Sequence, residues 1–141
     1  MRGNRRMRGV AGRCYHVVMD NRSQKLRSES IDPAIPLAVR QFLEMISRTF
    51  PVTGALLYGS QARGTPHAES DVDLAVFLAG EQRGRRFLPT ARAMDEAAMD
   101  ILLETGIYIS PLPIWEDEWE HPENYSNPAL LHNIAADGIR L

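Results

Sequence analysis

A single cysteine, Cys14, in a chain of 141 residues excludes an internal disulfide, so any stability must come from a packed core. Long apolar runs are missing too. None approaches the roughly 20 residues a membrane-spanning helix requires, and the arginine-rich opening residues lack the apolar centre of a signal peptide. A cytoplasmic location is the resulting expectation. No internal repeat or low-complexity tract is present, and His16, His67, His121 and His132 show no metal-ligand spacing. No Gly-Lys-Ser/Thr follows a glycine-rich turn, which excludes a P-loop, and there is no dinucleotide fingerprint. Ser60, His67 and Asp71 do not form a hydrolase triad, because no strand-turn-helix elbow surrounds the serine.

Apolar residues make up 44% of the chain, enough for one domain with a real core but not for a separate acceptor-binding domain. Charge is unevenly spread. Residues 1–30 hold eight Lys or Arg against two acidic residues, whereas 31–141 hold eight against sixteen. The net charge of −2 and the acidic body argue against non-specific nucleic-acid binding by the folded part. Arg2, Arg5, Arg6, Arg8 and Arg13 sit among glycines without apolar periodicity, so 1–30 reads as a flexible basic arm. The arm could contact RNA or an acidic partner; the preferred reading is sequence upstream of a start at Met7 or Met19. Residues 31–141 read as the domain.

Within that domain, Ser30 or Asp32 can cap a helix from near Pro33 with a buried stripe of Val39, Phe42, Leu43, Ile46 and Phe50, ended by Pro51. A strand at about 53–58 is followed by a glycine turn, a short helix near 60–63 and a polar loop to Ser70. A second strand follows at 71–78. A helix from about Pro89 to Glu104 places Met94, Ala97, Ala98, Ile101 and Leu102 on a sheet and stops at Gly106. The third strand is Ile107 to Ile114, and Asn127-Pro128 opens a last helix ended by Gly138. Trp115 and Trp119 form either a protein-docking edge or, preferably, a hydrophobic clasp under that helix. Arg83, Arg85 and Arg86 could meet a triphosphate but read better as a solvated loop.

The chemistry concentrates in residues 58–73. Gly59-Ser60 lets the backbone turn sharply after a buried strand and present N–H groups to an anion. Strand side chains alternate, so Asp71 and Asp73 share one face while Val72 enters the core. Two carboxylates about 7 Å apart repel, and a hard cation such as Mg²⁺ relieves this. Mg²⁺ takes one or two carboxylates plus substrate phosphates, which makes a nucleoside triphosphate its natural co-ligand. Phosphoryl or nucleotidyl transfer is the chemistry this suits.

Gly59-Ser60-x-Ala-Arg63-Gly64 followed by Ser70-Asp71-x-Asp73-Leu74 resembles the signature of the nucleotidyltransferase superfamily related to DNA polymerase beta, its minimal nucleotidyltransferase branch in particular. The resemblance implies an α/β (α+β) fold with a small mixed sheet flanked by helices. It also implies two Mg²⁺ ions at Asp71 and Asp73 and nucleotide contacts from Gly59, Ser60, Arg63 and Ser70, with Arg63 supporting the turn. Active relatives usually carry a third carboxylate on a later strand; here that strand has none. Glu104 before it and Glu116, Asp117 and Glu118 after it lack strand-matched spacing.

The function implied is Mg²⁺-dependent transfer of AMP, from ATP as the favoured triphosphate, to a hydroxyl, with a HEPN-domain protein as acceptor and partner in a toxin–antitoxin pair. One alternative is a catalytically weak or inactive antitoxin that neutralises a HEPN ribonuclease by complex formation. A weaker one is modification of an aminoglycoside-type small molecule.

Overall fold

The computed structural model describes residues 31–59, 71–81 and 86–140. Along these run α1 (Ala34–Ser47), β1 (Val52–Tyr58), β2 (Val72–Leu78), α2 (Phe87–Thr105), β3 (Ile109–Trp115) and α3 (Glu116–Glu120). A 3₁₀ turn (Pro122–Asn124) and α4 (Pro128–Asp137) complete the order. The sheet order is β1-β2-β3, with β1 antiparallel and β3 parallel to β2. Parallel neighbours need a long crossover, and α2 supplies it. The mixed sheet flanked by helices is the architecture the motif implies. The basic arm at 1–30, Ser30, the proposed helix at 60–63 and the loop to Ser70, with Arg83 and Arg85, lie outside the described residues.

Local chemistry accounts for each helix. In α1, Ile35, Ala38, Val39, Phe42 and Ile46 are buried at helical spacing, with Leu43 and Phe50 half-buried beside them. Asp32 Oδ1 accepts the Ala34 N–H at 2.9 Å, satisfying one of the free donors at the helix start. α2 starts two residues before Pro89, because the first helical turn tolerates proline. It buries Thr90, Met94, Ala98 and Ile101 and ends at Gly106, whose φ of 79° is left-handed and whose N–H reaches the Leu102 carbonyl at 2.8 Å. Asn127 Oδ1 caps α4 through the Leu130 N–H at 3.3 Å, and Pro128 occupies the first position.

Side-chain alternation along the strands divides the core between the two sheet faces. Val72, Leu74, Val76 and Leu78 pack with α1 and α2 on one face, while Ala75 and Phe77 meet Trp119, Leu131 and Ile134 on the other. Trp119 touches Phe77 edge-on, ring centres 4.8 Å apart, beneath α4. Trp115 is fully buried on the opposite face. The protein-docking edge proposed for the two tryptophans is therefore ruled out: Trp119 is the clasp, and Trp115 belongs to the other layer. Arg86 lies with its guanidinium 5.5 Å from the Trp115 ring and donates to the Glu81 carbonyl at 2.8 Å, so it braces the start of α2.

Both sheet edges are managed. Leu57 exchanges two 2.8 Å hydrogen bonds with Ile139, which carries the chain after α4 along the outer side of β1. Val72 N–H bonds to the Tyr108 carbonyl, so even-numbered residues of β3 bond to β2 and odd-numbered ones face outward. Two of those outward positions are Pro111 and Pro113, which have no N–H to offer an added strand.

One buried acid makes stability pH-dependent. Glu118 is 9% exposed and its Oε1 accepts the Trp115 N–H at 3.1 Å. Burial pushes its carboxyl above the usual 4.5, the charge of Asp117 adds to this, and the Trp115 N–H partly opposes it. The folded state thus holds the proton to higher pH than the unfolded one, so this group's contribution is most favourable below its ordinary value and falls as pH rises through the raised one. Glu118→Gln keeps an acceptor for Trp115 and carries no charge. Its melting temperature relative to the parent should rise as pH is taken from about 4 to about 8; thermal melts across that range check this.

Candidate functional site

Three strands bring one side chain each to a common row. Tyr58 at the end of β1 pairs with Asp73 near the start of β2, and Asp73 pairs with Ser110 of β3. All three lie on the face carrying Phe77, Ile114 and α4, because residues two apart on a strand share a side. Asp71 immediately precedes β2 and is exposed, and Val72 between the two carboxylates is buried in the opposite layer. Val72 enters the core as expected and Asp73 lies on the opposite face; Asp71 stands just outside the strand.

Gly59 follows β1 with a φ of 75°, a conformation that disfavours residues with a Cβ. A Cβ built there would collide with Asp73 Oδ2 and stand 3.3 Å from its Cγ. The Asp73 carboxylate therefore lies directly over the Gly59 α-carbon, and glycine is required on two independent grounds. The turn and the second carboxylate are one construction, although they stand fourteen positions apart in the sequence.

The row is electrostatically distinct. The Tyr58 phenol is pushed up to about 12, first by burial, then by the negative charge of Asp73, then by Tyr125. It remains a neutral hydroxyl beside the carboxylate at any ordinary pH. Tyr125, half-buried after the 3₁₀ turn, is also raised, by burial and then by Glu118. Neither tyrosine was a site candidate in the sequence. Tyr58 had a signal, its position before Gly59; Tyr125 had none, because only the packing of α3 and α4 brings it to this face.

β3 carries no third carboxylate, and its residue in register with Asp73 on the same face is Ser110. Neither acidic substitute replaces it. Glu104 is exposed in the last turn of α2, which covers the other face. Glu116, Asp117 and Glu118 begin α3 after Trp115, which pairs with Leu78 at the far end of β2. Arg86 is at that far end too. Among the described residues no group of three or more His, Cys, Asp or Glu side chains gathers as a metal cage. Asp71 and Asp73 can contribute one or two carboxylates to Mg²⁺ already carried by substrate phosphates, and nothing in the described row completes a protein cage. Ser60, Arg63, Ser70 and His67 lie outside the described residues.

A small mixed sheet with a carboxylate pair opening its central strand beside a glycine turn defines a nucleotidyltransferase-type domain of the polymerase-beta-like kind. The family model described as "Nucleotidyltransferase domain" matches residues 39–119, more than half of the chain, and the chain belongs to that family. Among solved structures, a protein from Sulfolobus solfataricus described as a candidate nucleotidyltransferase is 18% identical, covering 77% of this chain and 86% of its own, with a TM-score of 0.37. No curated protein matches the chain.

Proposed function

We propose that this nucleotidyltransferase domain binds a Mg²⁺–nucleoside triphosphate, ATP in the favoured case, at Gly59, Asp71 and Asp73, and acts chiefly as the binding member of a protein pair. In that pair it neutralises a HEPN-type ribonuclease by complex formation, with transfer chemistry that is weak or absent. The observation that carries the reading is Ser110 at the position beside Asp73. A serine there cannot share the charge of a second cation, and charge neutralisation supplies most of the rate in this class of reaction. Mg²⁺, when bound, would neutralise phosphate charge; the chain's own part is to hold Asp73 over the Gly59 turn and keep Asp71 open to solvent.

A second reading, an active transferase that places AMP on a hydroxyl of its partner, is favoured by the fit between Gly59 and Asp73. A turn shaped around one carboxylate oxygen suits a site in use. Both readings need nucleotide at the same place, and one variant tests that shared part. Asp71→Asn should abolish Mg²⁺-dependent ATP binding in calorimetry without lowering the melting temperature, because the residue is exposed and its loss removes one of two repelling charges. Unchanged affinity would overturn the assignment. Mixing the chain with the candidate HEPN ribonuclease of the same genome, and following both complex formation and ribonuclease activity, tests the pairing.

A further inference from the structure

The outer face of α2 carries a second apolar stripe, which the core of the described residues does not include. Leu88, Met99 and Leu103 are 72%, 48% and 79% exposed. At 3.6 residues per turn they fall within an arc of about 60°, centred opposite the buried residues Thr90, Met94, Ala98 and Ile101. Met99 and Leu103 are one turn apart, about 6 Å, and Leu88 lies about 16 Å before Met99. Acidic side chains flank the stripe, Asp95 on one side and Glu96, Asp100 and Glu104 on the other, with Arg92 as the lone cation within it. All of these are exposed.

We propose that this face of α2 is the docking surface for the protein partner, and that the partner meets it with an amphipathic helix whose apolar residues are flanked by Lys or Arg. The inference rests on the pairing reading above and adds to it where, and by what chemistry, the partner is held. Charge selects the occupant. An acidic rim repels nucleic acid and anionic lipid, and a second copy of this chain would bring the same carboxylates into opposition. A basic rim around apolar anchors is the complement, and an RNA-cleaving protein has independent need of basic surface. The face lies across the sheet from the Tyr58, Asp73 and Ser110 row, so docking leaves the nucleotide edge open.

The test uses the full chain with the candidate HEPN ribonuclease as probe, affinity being measured by calorimetry at two salt concentrations. Met99→Gln with Leu103→Gln should weaken binding about tenfold or more, since truncated apolar anchors dominate interface energies. Asp100→Lys with Glu104→Lys should weaken it and flatten its salt dependence. Leu37→Gln, exposed on α1, should leave affinity unchanged. Melting temperatures of all three variants should match the parent, since the side chains are on the surface. Parent-like affinity in both α2 variants would overturn the docking face and leave the pairing intact. No complex with the unsubstituted chain would overturn both.

Discussion

Ser110→Asp should raise nucleotidyl transfer by roughly 10²-fold or more, the scale on which single groups stabilising transition-state charge act. Ser110 is the in-register neighbour of Asp73 on the same face, so the new carboxylate would join Asp71 and Asp73 at the start of β2. It is half-buried, which leaves room for solvation. The variant should carry a second signature. Three neighbouring carboxylates repel, so its melting temperature should fall below the parent's without divalent cation and recover when Mg²⁺ is added. Ser110→Asn, similar in size but uncharged, should gain nothing. Release of pyrophosphate from ATP measures the first effect and thermal melts the second. A folded Ser110→Asp protein with parental activity and no Mg²⁺ response would mean that the Asp73 row is not the reacting centre.

Gly59→Ala is the second large effect, and it separates two costs that glycine substitutions usually confound. A left-handed backbone at an alanine costs about 1–2 kcal/mol. Gly106→Ala isolates that term, because Gly106 has a φ of 79° and a Cβ there meets open space. Gly59 has nearly the same φ, 75°, but its Cβ would strike the Asp73 carboxylate. An overpacking cost of about 1–3 kcal/mol should add to the conformational one. Gly59→Ala should therefore destabilise clearly more than Gly106→Ala in denaturant titration, and it alone should lose Mg²⁺-dependent ATP binding, because Asp73 must turn away. Equal losses in the two variants, with ATP affinity retained in both, would show that the contact has no functional weight.

Much of this layout was legible in the sequence because short-range chemistry wrote it there. Helical spacing from Val39 to Ile46 marked α1, the apolar run from Leu74 to Leu78 marked β2, and Gly106, Asn127-Pro128 and Gly138 marked helix ends. What was not legible depends on pairing over distance. The register that sets Ser110 beside Asp73 belongs to the pairing of β2 with β3 across the α2 crossover, and no local pattern encodes it. The tryptophans show the same limit. Four residues apart they would share a face if both were helical, but Trp115 ends a strand and Trp119 sits in the helix that follows, so they enter opposite layers. The sequence shows that β3 has no carboxylate; that Ser110 is the residue beside Asp73 is visible only in the sheet.

Label transfer from ATP carrying a labelled α-phosphate decides between a binding partner and a working transferase. The chain is incubated with Mg²⁺ and this ATP, alone and with the candidate HEPN ribonuclease, and both proteins are followed by gel, mass spectrometry and size-exclusion chromatography. A stable complex with far less than one label per partner, in a chain that still binds ATP, is the expected result. Stoichiometric label on the ribonuclease, lost in Asp71→Asn, would contradict it and establish a working transferase despite Ser110.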